Sequence, residues 1–193
     1  MSLGPTIAHF CGQKPIDLLA PTLDDIDFEC IADRLSKIPR FLGGTSQPYS
    51  VAQHSVWVMD RVGRAAQPYA LLHDAPEAFL GDRIRPVFVS MDITVAALMP
   101  EWCESRLFSD AFETLHRAFA RRIHEAAGLN RDPSPVIAQE IKDADDYARD
   151  VEYRSLVLQE RVAGAPMPVS SERAKADFLA ALKAVCPRVG GLP

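Results

Sequence analysis

Three groups of residues in this chain have the types and spacing needed to hold a divalent cation. The first is His54, in Tyr49-Ser50-Val51-Ala52-Gln53-His54-Ser55. Val51 and Val58 share its helix face, so the imidazole points toward the core. Alone, it reads as a core histidine with a satisfied hydrogen bond. The second is Leu71-Leu72-His73-Asp74-Ala75-Pro76-Glu77, where an adjacent His and Asp follow two leucines. Burying a carboxylate is very costly unless a cation or strong donors receive it. A divalent metal would serve His73 and Asp74 together, although a solvent-facing His-Asp-x-x-Glu at a helix end fits the segment equally well. Glu77 lies four residues after His73 and three after Asp74, on the same helix face. There it could take a proton from a water at the metal without being a ligand.

The third group is Ile141-Lys142-Asp143-Ala144-Asp145-Asp146-Tyr147. Asp145 falls four residues after Ile141 and three before Ala148, on the apolar face. Asp143 and Asp146 have polar face neighbours and read as solvated. A buried Asp145 again calls for a cation. His54, His73, Asp74 and Asp145 together supply two neutral imidazoles and two carboxylates, which balance one divalent ion. Such N and O donors suit Mn, Fe, Co, Ni or Zn without choosing among them.

The elements that must position these groups read as helices, so the expected class is all-α. Residues 4–22, rich in Pro and Gly, suggest an extended arm or small hairpin. Asp24 or Asp25 could cap a helix running through Lys37, which Pro39 ends. Gly43, Gly44 and Pro48 mark a loop. Ser50 is an N-cap candidate for a helix from Val51 to about Ala66. Pro68 suits the first turn of a helix to about Leu80. Pro76 inside it frees the carbonyl of Leu72 and predicts a kink or an early loosening of the helix. Residues 82–90, with Pro86, read as a connecting loop. A helix over 101–127 carries the stripe Phe108, Phe112, Leu115 and Phe119, with Gly128 at its C′ position. Another spans about 135–163. A last helix, capped by Ser170 or Ser171, runs to about Val185 and is closed by Pro187.

At 193 residues the chain reads as a single domain over 1–193: arm 1–22, core 24–160, C-terminal helix 170–186. A net charge of −5 and the lack of a basic stripe argue against duplex nucleic acid as a partner. A small anionic ligand remains compatible, because local arginines and a metal override a weak global field. No apolar run of membrane-spanning length exists, and residues 1–5 do not read as a signal peptide. Cys11, Cys30, Cys103 and Cys186 form no C-x-x-C pair, which suggests reduced thiols and a cytoplasmic protein rather than a disulfide framework or Cys-based zinc site.

The order His54, then His73-Asp74, then a distant Asp145 resembles the HD-domain metal-dependent phosphohydrolases. The wider set resembles the branch that includes bacterial 5′-deoxynucleotidases and related uncharacterised HD proteins. That set is Arg40-Phe41, Tyr49 to Ser55, Leu71-Leu72-His73-Asp74-Ala75-x-Glu77, Gly81-Asp82 and Lys142-x-Ala144-Asp145, covering roughly residues 24–160. The resemblance implies an HD-domain helical bundle with one divalent transition metal between helices. It implies hydrolysis of a phosphate ester such as a nucleoside 5′-monophosphate, with Glu77 handling the proton of the attacking water. It also implies a pocket lined by Arg40, near the phosphate with Phe41 beside it, and by Asp82, near the sugar or the water. Two residues depart from the branch. Relatives tend to carry a Lys shortly after Gly-Asp, where this chain has Arg85-Pro86-Val87-Phe88 and Arg85 is the substitute cation. They also usually have a small residue in place of Pro76.

Two rivals have less support. Alarmone and cyclic-dinucleotide hydrolases use similar ligands. However, the His-His-Glu and Gly-Tyr-Pro signature is absent, and so are paired acids after His-Asp. A catalytically silent HD sensor or binding domain would have lost Glu77 or a ligand, and all are present. Among the other residues, His9 sits in the arm. His116 reads as a packing or interface histidine, and His124 as one near a helix end that favours positive charge. The Phe108–Phe119 stripe suits core or homodimer packing. Trp57 and Trp102 have no assigned role.

Overall fold

The computed structural model describes residues 4, 6–10, 12, 14–99, 106–186 and 188–189. Among these the fold is all-α except for one small hairpin. Strands β1 (Ile7–Ala8) and β2 (Ile16–Asp17) pair antiparallel in the expected arm, and Ile16 is buried in the core. Helix α1 (Phe28–Leu35) buries Phe28, Ile31, Ala32 and Leu35, a stripe at helical spacing. Its cap is Asp27, which accepts from Cys30 N at 3.1 Å, rather than Asp24 or Asp25. Asp25 is engaged elsewhere: its carboxylate accepts from Thr22 N and Oγ1 at 2.8 and 2.7 Å, closing a 3₁₀ turn over Leu23–Asp25. The helix also stops at Leu35, short of Lys37.

Ser50 caps α2 (Val51–Met59) as expected, accepting from Gln53 N at 3.3 Å. The helix ends at Met59 rather than near Ala66. Beyond it Gly63 N donates to Glu140 Oε1 at 2.6 Å, a tertiary bond that pins a turn. The expected helix from Pro68 to Leu80 is two helices, α3 (Gln67–Leu72) and α4 (Glu77–Leu80). The freed Leu72 carbonyl accepts from Ala75 N at 3.1 Å, and the expected kink or loosening is a full break over 73–76. Gly81, with φ 79°, then ends α4 in a conformation that glycine adopts without strain.

Residues 82–90 are not a loop throughout. Helix α5 (Arg85–Leu98) starts there with Pro86 in its first turn, where a missing N–H costs nothing. It packs along α6 (Leu107–Ala126), and Phe88 meets Phe108 and Phe112 with centroids 5.9 and 4.9 Å apart. The aromatic stripe of α6 is therefore divided. Phe108 and Phe112 face α5, while Phe119 enters the core and stacks on Phe79 at 4.4 Å. Residues 100–105, where this helix was expected to begin, lie outside the described residues. Gly128 follows α6 with φ 76°, as its C′ role requires.

Helix α7 (Pro135–Glu152) passes into a π-helical turn, Tyr153–Val157, instead of running to 163. Ser170 caps α8 (Ser171–Val185), which buries Ala174, Phe178 and Leu182. Pro187, expected to close α8, is outside the described residues. Helices α1, α3, α7 and α8 all pack on α2, so the segment carrying His54 is the centre of the core. No described helix is long and apolar enough to cross a membrane. Cys30 and Cys186 are free thiols, and Cys11 and Cys103 fall outside the described residues.

Because Phe119 is fully buried and joins α6 to α4, Phe119→Ala is expected to cost about 3–5 kcal/mol. Thermal unfolding followed by circular dichroism should show a midpoint lowered by at least roughly 6 °C.

Candidate metal centre

His54 is fully buried on α2, and its ring is approached by α7 and by the break between α3 and α4. Its Nε2 lies 3.1 Å from Asp145 Oδ1 and 3.5 Å from Asp74 Oδ2. His73 Nε2 lies 3.3 Å from the same Asp74 oxygen and 3.9 Å from the same Asp145 oxygen. Donors held at about 2.0–2.2 Å around one ion sit about 3–3.5 Å from each other, so these separations are close to what a single divalent ion requires. His54, His73 and Asp74 alone form a group that could hold a metal ion. Asp145 Oδ1, on α7, stands beside this group, 3.1 Å from His54 Nε2 and 3.9 Å from His73 Nε2.

The chemistry of the donors tests the fit independently. His73 Nδ1 donates to the Ala70 carbonyl at 2.7 Å, and His54 Nδ1 donates to Glu152 Oε1 at 2.7 Å. A neutral ring that donates from Nδ1 presents a lone pair at Nε2. Both Nε2 atoms are buried without a hydrogen-bond partner and face carboxylate oxygens. A lone pair and a carboxylate at that distance repel each other unless a cation lies between them. The donor set therefore fits a metal.

Without one, protons take the cation's place. Burial and the Arg40 charge push the His54 imidazolium down, but Glu152 and Asp145 outweigh them and its pKa is raised. For His73, burial lowers the value, yet the Asp74 and Asp145 carboxylates bring it up to about 9. Burial raises Asp74 and Asp145, but the facing imidazoles hold both below the usual carboxylate range.

Beside this group a cleft of about 1370 Å³ opens, wide enough for a nucleotide-sized ligand. Arg40, Phe41, Glu77, Asp82 and Arg85 all line it, together with Asp74 and Asp145. Arg40 is almost wholly buried, and its Nη1 lies 3.8 Å from both Asp74 and Asp82. The turn that carries it is stitched to the start of α2, with Arg40 N donating to the Tyr49 carbonyl at 2.9 Å. Phe41 and Leu42 then adopt φ of 53° and 55°, a left-handed conformation costing of order 1–3 kcal/mol each in residues with a Cβ. This turn holds the Phe41 ring against Tyr153, with centroids 5.9 Å apart. Glu77 opens α4. Burial and the like charges of Asp74 and Asp82 push its carboxyl well above the ordinary glutamate value. Burial likewise raises Asp82, with Arg40 opposing. Arg85 stands exposed at the start of α5.

All nine site residues read from the sequence thus lie at the centre or line its cleft. The helical spacing that placed Glu77 beside His73 does not survive, because the helix breaks between them; the turn over 73–76 still leaves Glu77 in the cleft wall. Asp143 points to solvent, where Gln139 donates to it, and Asp146 pairs with Lys142 and Arg149. The sequence reading missed Glu152. It is fully buried, its Oε1 accepts from His54 Nδ1 and, at 2.9 Å, from the Tyr49 hydroxyl, and its Oε2 accepts from Arg40 Nη2 at 3.4 Å. The available signal was its position seven residues after Asp145, two turns along the same face of α7.

The expectation of positive charge on His124 is corrected. The ring is buried edge-on to Tyr69, 4.9 Å away, and burial lowers its pKa. His116 packs beside Phe112 as expected, and His9 is exposed in the arm. Trp57 stacks on Tyr147 under the Arg61 guanidinium, and Trp102 lies outside the described residues.

No family model matches the chain. An uncharacterised protein of Rhodobacter capsulatus is 46% identical over 83 residues, 38% of this chain and 42% of that protein. The uncharacterised Escherichia coli protein YfdR is 39% identical over 84 residues, 40% of this chain and 47% of its own length. The matched stretch thus spans less than half of either relative, and neither description carries an activity.

Metal uptake must displace the proton that His73 holds up to about pH 9. Below that pH the proton competes, so apparent affinity should rise between pH 7 and pH 9 as the proton is lost. Competition of cobalt or manganese against a chelator of known pH dependence measures this, and a flat profile would contradict the site.

Proposed function

We propose that this chain is a metal-dependent phosphohydrolase of the HD-domain type, cleaving a small phosphate ester, with nucleoside 5′-monophosphates as the first class to test. One observation carries the reading: the His54–His73–Asp74 group, with Asp145 beside it, borders a cleft whose wall holds Asp74 and Asp145 together with a buried guanidinium, Arg40, and a further buried carboxyl, Glu77. His54, His73, Asp74 and Asp145 would hold one divalent ion of the Mn, Fe, Co, Ni or Zn group. Such an ion supplies Lewis acidity, lowering the pKa of a coordinated water from 15.7 to about 7 and neutralising phosphoryl charge.

The remaining work belongs to the chain's own side chains. Glu77 faces the cleft with a buried oxygen that has no hydrogen-bond partner. Because burial and neighbouring carboxylates raise its pKa, it is a stronger base than a solvated glutamate. It takes the proton of the attacking water as the new P–O bond forms and the ester P–O bond breaks. Asp82, also raised by burial, is a second carboxyl that can move a proton at the leaving oxygen. Arg40 presents a planar donor fork to the charge that spreads over the phosphoryl oxygens. Its pKa is driven upward, since burial is outweighed by Glu152, Asp74 and Asp82, so it stays charged. Arg85 adds a second cation at the cleft mouth, and Phe41 supplies an apolar wall for a base or sugar.

Glu77→Gln should keep its metal and lose about 10²–10⁴ in turnover, whereas Asp145→Ala should lose metal. Phosphate release from a panel of ribo- and deoxynucleoside monophosphates, with metal content measured in parallel, checks both. A Glu77→Gln protein with unimpaired turnover would remove Glu77 from its role. Metal-loaded parent protein inactive on the whole panel would reject this substrate class.

A further inference from the structure

Glu152 is fully buried, yet it carries a charge and sits among donors from three separate segments. One oxygen receives the His54 ring from α2 and the Tyr49 hydroxyl from the segment before it. The other receives the Arg40 guanidinium from the 3₁₀ turn. Removing a carboxylate from water is expensive unless such donors repay it. Two of the three donors are the imidazole of the candidate metal group and the guanidinium that lines the cleft.

We propose that Glu152 is a positioning residue that sets the metal ligand His54 and the cleft guanidinium Arg40 together. The inference rests on the metal reading above. Two oxygens on α7 hold His54 from opposite sides: Glu152 takes the Nδ1 proton at 2.7 Å, and Asp145 faces Nε2 at 3.1 Å. Accepting from Nδ1 fixes the tautomer with its lone pair at Nε2, toward Asp74 and Asp145. The same carboxylate draws Arg40 Nη2 inward to 3.4 Å, which leaves Nη1 between Asp74 and Asp82 at 3.8 Å from each. Without the Glu152 charge, the carboxylates nearest the guanidinium would be Asp74 and Asp82. Pairing with Asp74 would take charge from a ligand. Loss of one carboxylate therefore weakens the site twice, through a freed imidazole ring and through a competing cation on Asp74.

Titration of the 193-residue parent and its Glu152→Gln variant with cobalt(II), read by visible absorption, tests this without any activity assay. The variant is expected to bind cobalt about 10–100-fold more weakly and to show an altered absorption band, the sign of a changed ligand geometry. Equal affinity and an identical spectrum would overturn the proposal while leaving the metal reading intact. A parent that takes up no cobalt would overturn both. Should Glu152→Gln not fold, nitrogen-15 spectra of the zinc-loaded parent decide the matter. A His54 Nδ1 proton shifted far downfield and protected from exchange, as a short bond to a carboxylate requires, supports the proposal, and an Nδ1 proton at an ordinary imidazole shift that exchanges freely with solvent refutes it.

Discussion

The imidazole of His54 is fully buried at the centre of the core, and one helix holds both of its nitrogens. Asp145 and Glu152, two turns apart on α7, face Nε2 and Nδ1. Around them, Arg40, Asp74, Glu77 and Asp82 place further charge where solvent hardly reaches. Each buried ion costs several kcal/mol of desolvation, and well-packed apolar residues in its place are often neutral or stabilising. The arrangement is a stability liability, and a dication bound in place of the protons on the two imidazoles would improve its balance. The rest of the fold follows from this constraint. Helix α2 must be packed on every side to keep His54 in place, and α7 must lie against it in one register. A shift of α7 by one residue would turn both carboxylates away.

Helices α2 and α7 supply His54 and Asp145, while breaks in regular structure supply the other two donors of the candidate site and several of the groups that line the cleft. His54 and Asp145 sit within long or well-packed helices. Asp74 lies in the break over 73–76, Asp82 follows a left-handed glycine, and Arg40 precedes two residues in left-handed strain. The π turn after Glu152 is a third irregularity at the same place, and Ser46 N donates to the Leu156 carbonyl within it at 2.8 Å. That bond ties the Arg40 loop to the end of α7, so the strained turn and the ligand helix are held together. Irregularities of this kind persist only where surrounding contacts enforce them.

Much of this was readable because burial and periodicity agree. Asp145 stood apart from Asp143 and Asp146 by its helix face alone, and the structure turns it alone of the three toward His54 and His73, although it is half-buried like Asp146 rather than fully buried. Pro76 announced the break between α3 and α4, and Ser50, Ser170 and Gly128 marked their helix ends. Other features depend on contacts distant in sequence. The end of α2 at Met59 precedes a turn held by Glu140, seventy-seven residues on. Asp25 leaves the α1 cap because Thr22 engages it first. Pro86 looked like a loop marker, yet its role in a first turn is the same chemistry. Nothing in Phe41-Leu42 signals a positive φ. Glu152 was hidden by its type: a glutamate late in a charged helix reads as solvated unless its spacing from Asp145 is counted.

The central claim is that these four side chains converge on one ion. Anomalous diffraction from crystals of the protein soaked in manganese tests it most directly. The account predicts a single strong peak about 2.0–2.2 Å from His54 Nε2, His73 Nε2 and an oxygen each of Asp74 and Asp145. A peak bound elsewhere, or an empty cluster in crystals that hold manganese at other sites, would contradict it.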